Sequence, residues 1–132
     1  MARLPYEDGS FDCVLCALTL CSVEDQATAL KEIKRLTNPN GGTFGYVEHV
    51  AVDLEAEPDK LFLEWQQRFL DPAQQLVAHN CHLHRSTPLA IETAFQVDNQ
   101  QSRLLDQKRF FVDGMWPVSC QCSGVIQRKL FA

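Results

Sequence analysis

Phe11-Asp12-Cys13-Val14-Leu15-Cys16-Ala17-Leu18, then Asn38-Pro39-Asn40-Gly41-Gly42, then Thr43-Phe44-Gly45-Tyr46-Val47-Glu48-His49-Val50: the reading of these three pieces decides the fold. Residues 11–18 are apolar at every position except Asp12. That pattern suits a parallel strand covered on both faces. Residues 22–36 between the first two pieces read as a helix. Ser22 is the expected N-cap, and Asp25 completes a capping-box-like pair. Ala27, Ala29, Leu30, Ile33 and Leu36 recur at helical spacing, and Lys31, Lys34 and Arg35 sit near the negative end of the helix dipole. The Asn-Pro-Asn-Gly-Gly turn stops the helix, and residues 44–50 return as a strand. Two strands joined by one helix make a parallel pair with a right-handed crossover.

Working outward, residues 4–10 are turn-like, and residues 53–60 form an acidic linker. Residues 61–70 read as a helix whose expected buried side carries Leu61, Phe62, Trp65, Phe69 and Leu70, with Asp71-Pro72 interrupting it. Ser86 or Thr87 caps a short helix, with Pro88 in its first turn, that runs to about Phe95. A polar connector over 96–102 leads to a strand over 103–112. Asp113-Gly114 and Pro117 mark a turn, and residues 118–131 contain a last strand, so the final two strands form an antiparallel hairpin at the edge of the sheet.

The composition narrows the function classes. At 132 residues and 45% hydrophobic content, the chain is one domain, residues 1–132. A net charge of −5 lacks the basic excess of a nucleic-acid-binding domain. No apolar run reaches the roughly 18 residues of a membrane span, and the first residues lack a signal-peptide layout. A cytoplasmic location follows as the expectation. The six cysteines do not read as a disulfide frame.

The order of parts resembles the carboxyl-terminal half of a class I S-adenosylmethionine-dependent methyltransferase. Leu4-Pro5-Tyr6-Glu7-Asp8-Gly9-Ser10-Phe11-Asp12 looks like the loop into the family's fourth strand, and residues 14–18 like that strand. Residues 29–36 with Asn38-Pro39-Asn40-Gly41-Gly42 are similar to the helix and turn before the fifth strand, and residues 44–49 to that strand. Asn80-Cys81-His82-Leu83-His84-Arg85 and Ile91-Glu92-Thr93-Ala94-Phe95 resemble a branch that methylates small thiols, with Asn80 and His84 departing from its Gly and Thr. The fold implied is α/β: a partial Rossmann-like sheet of two parallel strands and a carboxyl-terminal antiparallel hairpin, flanked by helices. The family's Gly-rich turn after its first strand is not in these residues, and Gly41-Gly42 follow a helix. The expectation is therefore of a truncated domain.

By that resemblance the cofactor is S-adenosylmethionine, with Cys16, Ala17 and Leu18 along its methionine side and Glu7 and Asp8 near its adenine. The partner is a small-molecule methyl acceptor. In an open α/β sheet the ligand sits beyond the carboxyl ends of the strands. Glu48 and His49, a polar pair ending a strand, are the candidates for acceptor contact, with His49 as base for a thiol proton. Trp65 with Phe62 and Phe69 reads as a core stripe, or as the cover of the acceptor site that the resemblance implies. Cys13-x-x-Cys16 lies in a strand and points opposite ways; His79, Cys81, His82, His84, Cys120 and Cys122 are a better placed set, but no standard zinc spacing is present and no metal ligands are assigned. Two other readings stand beside the enzyme: a catalytically silent remnant acting as an interaction module, and a zinc-binding module. An open, apolar strand edge at residues 11–18 also leads to an expectation of self-association.

Overall fold

A computed structural model describes residues 3–97 and 99–130. Strand β1 (Cys13–Ala17) leads through helix α1 (Gln26–Leu36) to β2 (Thr43–His49). Helix α2 (Leu61–Val77), helix α3 (Thr87–Phe95) and strands β3 (Ser102–Phe111) and β4 (Cys120–Arg128) follow. The sheet order is β1-β2-β4-β3. β1 and β2 are parallel, from Cys13 opposite Thr43 to Ala17 opposite Val47. β4 inserts antiparallel beside β2, and β3 closes the hairpin on its far side with an irregularity at Leu105. The parallel pair and the terminal hairpin are thus as expected. Phe131, to which the expected last strand extends, and Asp98 in the connector lie outside the described residues.

Alternate residues of β2 and β4 build the core. Phe44, Tyr46, Cys120, Cys122 and Ile126 pack with Ala29 and Leu30 of α1 and Ile91 and Phe95 of α3. The Phe44 and Phe95 rings stack with centroids 5.2 Å apart. The other face of the sheet carries Leu15 and Val47, both exposed. This corrects the reading of residues 11–18 as a strand covered on both sides. β1 is an edge strand on which Cys13, Leu15 and Ala17 are exposed while Val14 and Cys16 are half-buried. An apolar run does not reveal whether anything covers its second face.

Two helix boundaries also differ from expectation. Ser22 sits in a turn, its N–H bonded to the Thr19 carbonyl, and Asp25 is the N-cap of α1, accepting the Thr28 N–H at 3.0 Å. Helix α2 does not stop at Asp71-Pro72 but runs through both. The Asp71 carboxylate accepts the N–H groups of Leu83 and His84, tying the helix to the loop beyond it. The buried residues of α2 are Glu64 and Gln67, whereas Leu61, Phe62, Trp65 and Phe69 are exposed. Gln67 explains the reversal. Its amide donates to the Val50 carbonyl and accepts the Val52 N–H, satisfying backbone groups that β2 leaves open at its exit. Helix α3 starts and ends where the sequence places it.

Candidate functional site

The carboxyl ends of β1 and β2 meet at Glu48. Leu18, with φ at +49°, turns the chain out of β1 after its N–H bonds the Val47 carbonyl. The next two N–H groups, of Thr19 and Leu20, donate to Glu48 Oε1 at 3.0 and 3.1 Å. The Cys16 thiol donates to the same oxygen at 3.4 Å. Glu48 is fully buried, and its Oε2 has no partner. Burial, reinforced by the Glu48 charge, pushes the Cys16 thiol up to about 12, so it is a neutral donor rather than a nucleophile.

His49 follows Glu48 but faces away from it, as successive strand residues do. Its Nε2 lies 2.9 Å from the Cys81 Sγ, in the loop after α2, and its Nδ1 is buried without a partner. Burial holds the imidazole below its ordinary range, against the opposing charge of Asp71. At 3% exposure, His49 offers no ring nitrogen to an incoming thiol. The expected role as base therefore meets a physical obstacle. Cys21, also buried, completes a cluster with His49 and Cys81 in which the ligand atoms all lie within 4.8 Å of one another. Cys120 and Cys122 are instead packed in the apolar core.

Glu7 and Asp8 stand at the other end of the parallel pair. Gly9 bonds the Arg35 carbonyl at the end of α1, and Asp8 Oδ1 pairs with Arg35 at 2.6 Å and Arg3 at 3.1 Å. The structure does not bring them together with Cys16, Ala17 and Leu18. Their expected place near the adenine conflicts with the ligand position of an open sheet, beyond the carboxyl ends. Trp65 and Phe69 stack at 5.5 Å on the outward side of α2, with Phe62 beyond at 6.1 Å. They do not line the cleft that opens at the exit of β2.

A cleft of about 550 Å³ opens where β2 ends, between α2, α3 and β3. Ala51, Val52, Glu64, His84, Glu92 and Arg109 lie along it. Glu64 Oε1 receives His84 Nε2 at 3.0 Å and Arg68 at 2.7 Å. Burial would raise the Glu64 carboxyl, but these two hydrogen bonds outweigh it and hold it below the usual range. Arg109 bonds the Ala51 carbonyl at 2.7 Å and Glu57 at 2.9 Å, fixing the cleft's rim. Sequence reasoning missed Glu64 and Arg109, which lack any local motif. His84 was in view as a candidate metal ligand and as a departure from the thiol-methylating branch's Thr, not as a base.

At the carboxyl edge of the parallel pair Ala17 and Leu18 are exposed, while the orphaned Glu48 Oε2 lies buried. No described helix is long and apolar enough to cross a membrane.

Comparison with known proteins bears on the same region. Residues 1–45 match the methyltransferase domain family model. The chain is 45% identical over 87 residues to the human thiol S-methyltransferase TMT1A, a match covering 66% of this chain and 33% of that protein. The fold is similar to an S-adenosylmethionine-dependent methyltransferase from Methanosarcina mazei, with a TM-score of 0.63 at 16% identity over 98% of this chain and 64% of that one. It is also similar to the N-methyltransferase NodS from Bradyrhizobium japonicum in complex with S-adenosyl-L-homocysteine, with a TM-score of 0.52 at 11% identity over 97% of this chain and 52% of that one. The resemblance to class I methyltransferases thus holds in sequence and in fold. The chain spans about a third of the length of the curated relatives it matches.

Proposed function

We propose that this chain forms the acceptor-side part of an S-adenosylmethionine-dependent methyltransferase that acts on small thiols. The observation that carries the reading is the 45% identity to a thiol S-methyltransferase. When bound, the cofactor supplies an activated methyl group, so the protein's work is positioning and exclusion of water.

Cys16, Ala17 and Leu18 are proposed to flank the methionine side of the cofactor. Glu48 acts by position: buried behind the edge, it holds the Thr19 and Leu20 amides and so fixes the loop that leaves β1. The acceptor enters the cleft at the exit of β2. There His84, oriented by Glu64 and only partly covered, takes the thiol proton in place of the buried His49. The expected roles of Glu7 and Asp8 in adenine contact, and of Trp65 and Phe69 in acceptor binding, are not carried forward, because of where those side chains stand.

The Gly-rich turn is not among these residues, which favours a second reading for the chain on its own: a cofactor half-site without catalysis, acting as an interaction module. The exposed edge of β1 supports self-association in that case. Calorimetry separates the readings. The chain is measured with S-adenosylmethionine alone, and again joined in one polypeptide to the part of the human relative that precedes the matched residues. Micromolar binding and methyl transfer to an alkyl thiol by the joined protein support the proposal. No binding by the joined protein, properly folded, sinks it.

A further inference from the structure

We infer that Cys21, His49 and Cys81 form a binding site for a thiophilic divalent cation, with Zn²⁺ as its natural occupant. The three residues come from separate places: the loop after β1, the last position of β2 and the loop after α2. Their exposures are 2%, 3% and 7%. Their ligand atoms all lie within 4.8 Å of one another. Two thiolates and an imidazole around zinc, at about 2.3 and 2.0 Å, stand roughly 3.5 to 3.8 Å apart along the edges of a tetrahedron. The His49–Cys81 separation of 2.9 Å then opens by roughly half an ångström, within reach of a side-chain rotation. Three protein ligands leave the fourth position for water or another small ligand.

Buried cysteine is ordinarily a small apolar residue. Cys120 and Cys122 fit that description, surrounded by the core. Cys21 and Cys81 do not, since they lie outside that apolar cluster and share their space with a ring nitrogen. The two loops that carry them are tied together without the cation. The His82 N–H donates to the Cys21 carbonyl at 2.9 Å, and the Asn80 amide donates to the Ser22 carbonyl at 3.2 Å. The ligands are therefore positioned in advance, as a specific site requires.

The test is titration of the reduced protein with Co²⁺, followed by replacement with Zn²⁺. The site predicts one ion per chain, a sulfur-to-cobalt charge-transfer band and the visible bands of a tetrahedral centre. Cys21→Ser and Cys81→Ser should each lose much of the charge-transfer intensity, and the exposed Cys13→Ser should keep it. X-ray absorption on the zinc-loaded wild type decides the matter even if the variants fail to fold. Two sulfurs at about 2.3 Å and one imidazole nitrogen at about 2.0 Å confirm the site. A shell of oxygen and nitrogen only, a charge-transfer band unchanged in folded Cys21→Ser and Cys81→Ser proteins, or no stoichiometric binding overturns it.

Discussion

Replacing Glu48 with alanine removes the carboxylate that organises the loop after β1, and the structure sets the size of the effect. Two backbone N–H groups, from Thr19 and Leu20, donate to Oε1 at 3.0 and 3.1 Å. A hydrogen bond to a charged group contributes about 1.5–3 kcal/mol. Leu20 is 1% exposed, so its N–H finds no water and the full loss applies. Thr19 is exposed, and its N–H recovers water, so its loss is small. Removing a buried carboxylate that has one oxygen unpartnered returns about 1 kcal/mol. The net cost of Glu48→Ala is about 1–2.5 kcal/mol. Glutamine keeps an acceptor in place at neutral strength, about 0.5–1.5 kcal/mol per bond, so Glu48→Gln costs about 1 kcal/mol. Urea unfolding at neutral pH measures both, with an unchanged denaturant slope expected. Hydrogen exchange of the Leu20 amide should quicken far more in the alanine variant than in the glutamine one. A cost below about 1 kcal/mol for alanine, or equal costs for the two, refutes the assignment of that carboxylate as the organiser of the loop.

Three further outcomes follow from the same geometry. Gly42→Ala should cost roughly 1–3 kcal/mol in urea unfolding, because its Cβ would stand 2.6 Å from the Asn38 carbonyl oxygen and 2.8 Å from its nitrogen, neither of which can swing aside; a neutral substitution contradicts the tight turn. The Arg35 hydrogen bond, then the Leu4 N–H, hold the Glu32 carboxyl down at about 2 from an ordinary 4.5. A lowered carboxyl stabilises above its ordinary value and loses that contribution as pH falls toward the folded one, so Glu32→Gln should flatten the fall of the melting temperature between about pH 4.5 and 2; an identical acid limb counts against the pair. Leu15, 79% exposed in the middle of the edge strand, should drive dimer formation at high concentration, and Leu15→Lys should abolish it; a monodisperse wild-type monomer by light scattering sinks that expectation.

The strand–helix–strand unit was legible because its signals are local. Apolar runs, a helical period and an Asn-Pro-Asn-Gly-Gly stop each act within a few residues. Pro88 marked α3 for the same reason. The failures concern what lies across the fold. Nothing local to Leu15 says that its face of the sheet is open. Trp65 and Phe69 look like core until Gln67 is seen holding the exit of β2. Pro72 reads as a stop until Asp71 is seen clasping the next loop. At the site, Glu48 and His49 were visible as a polar pair ending a strand, but their partners were not. Cys21 and Cys81 are 60 positions apart in sequence, with His49 between them, and no spacing rule connects the three. Glu7 and Asp8 were placed by resemblance alone, and the ion pair to Arg35 shows which end of the sheet they occupy.

The central claim is that the carboxyl edge of β1 and β2 is one flank of an S-adenosylmethionine site. Calorimetric titration with S-adenosylmethionine tests it, on the chain alone and on the chain joined to the part of its human relative that precedes the matched residues. The account predicts millimolar or weaker binding by the chain alone and micromolar binding by the joined protein, lost in Glu48→Ala. A folded joined protein that binds no cofactor, or one whose binding is indifferent to Glu48, contradicts it.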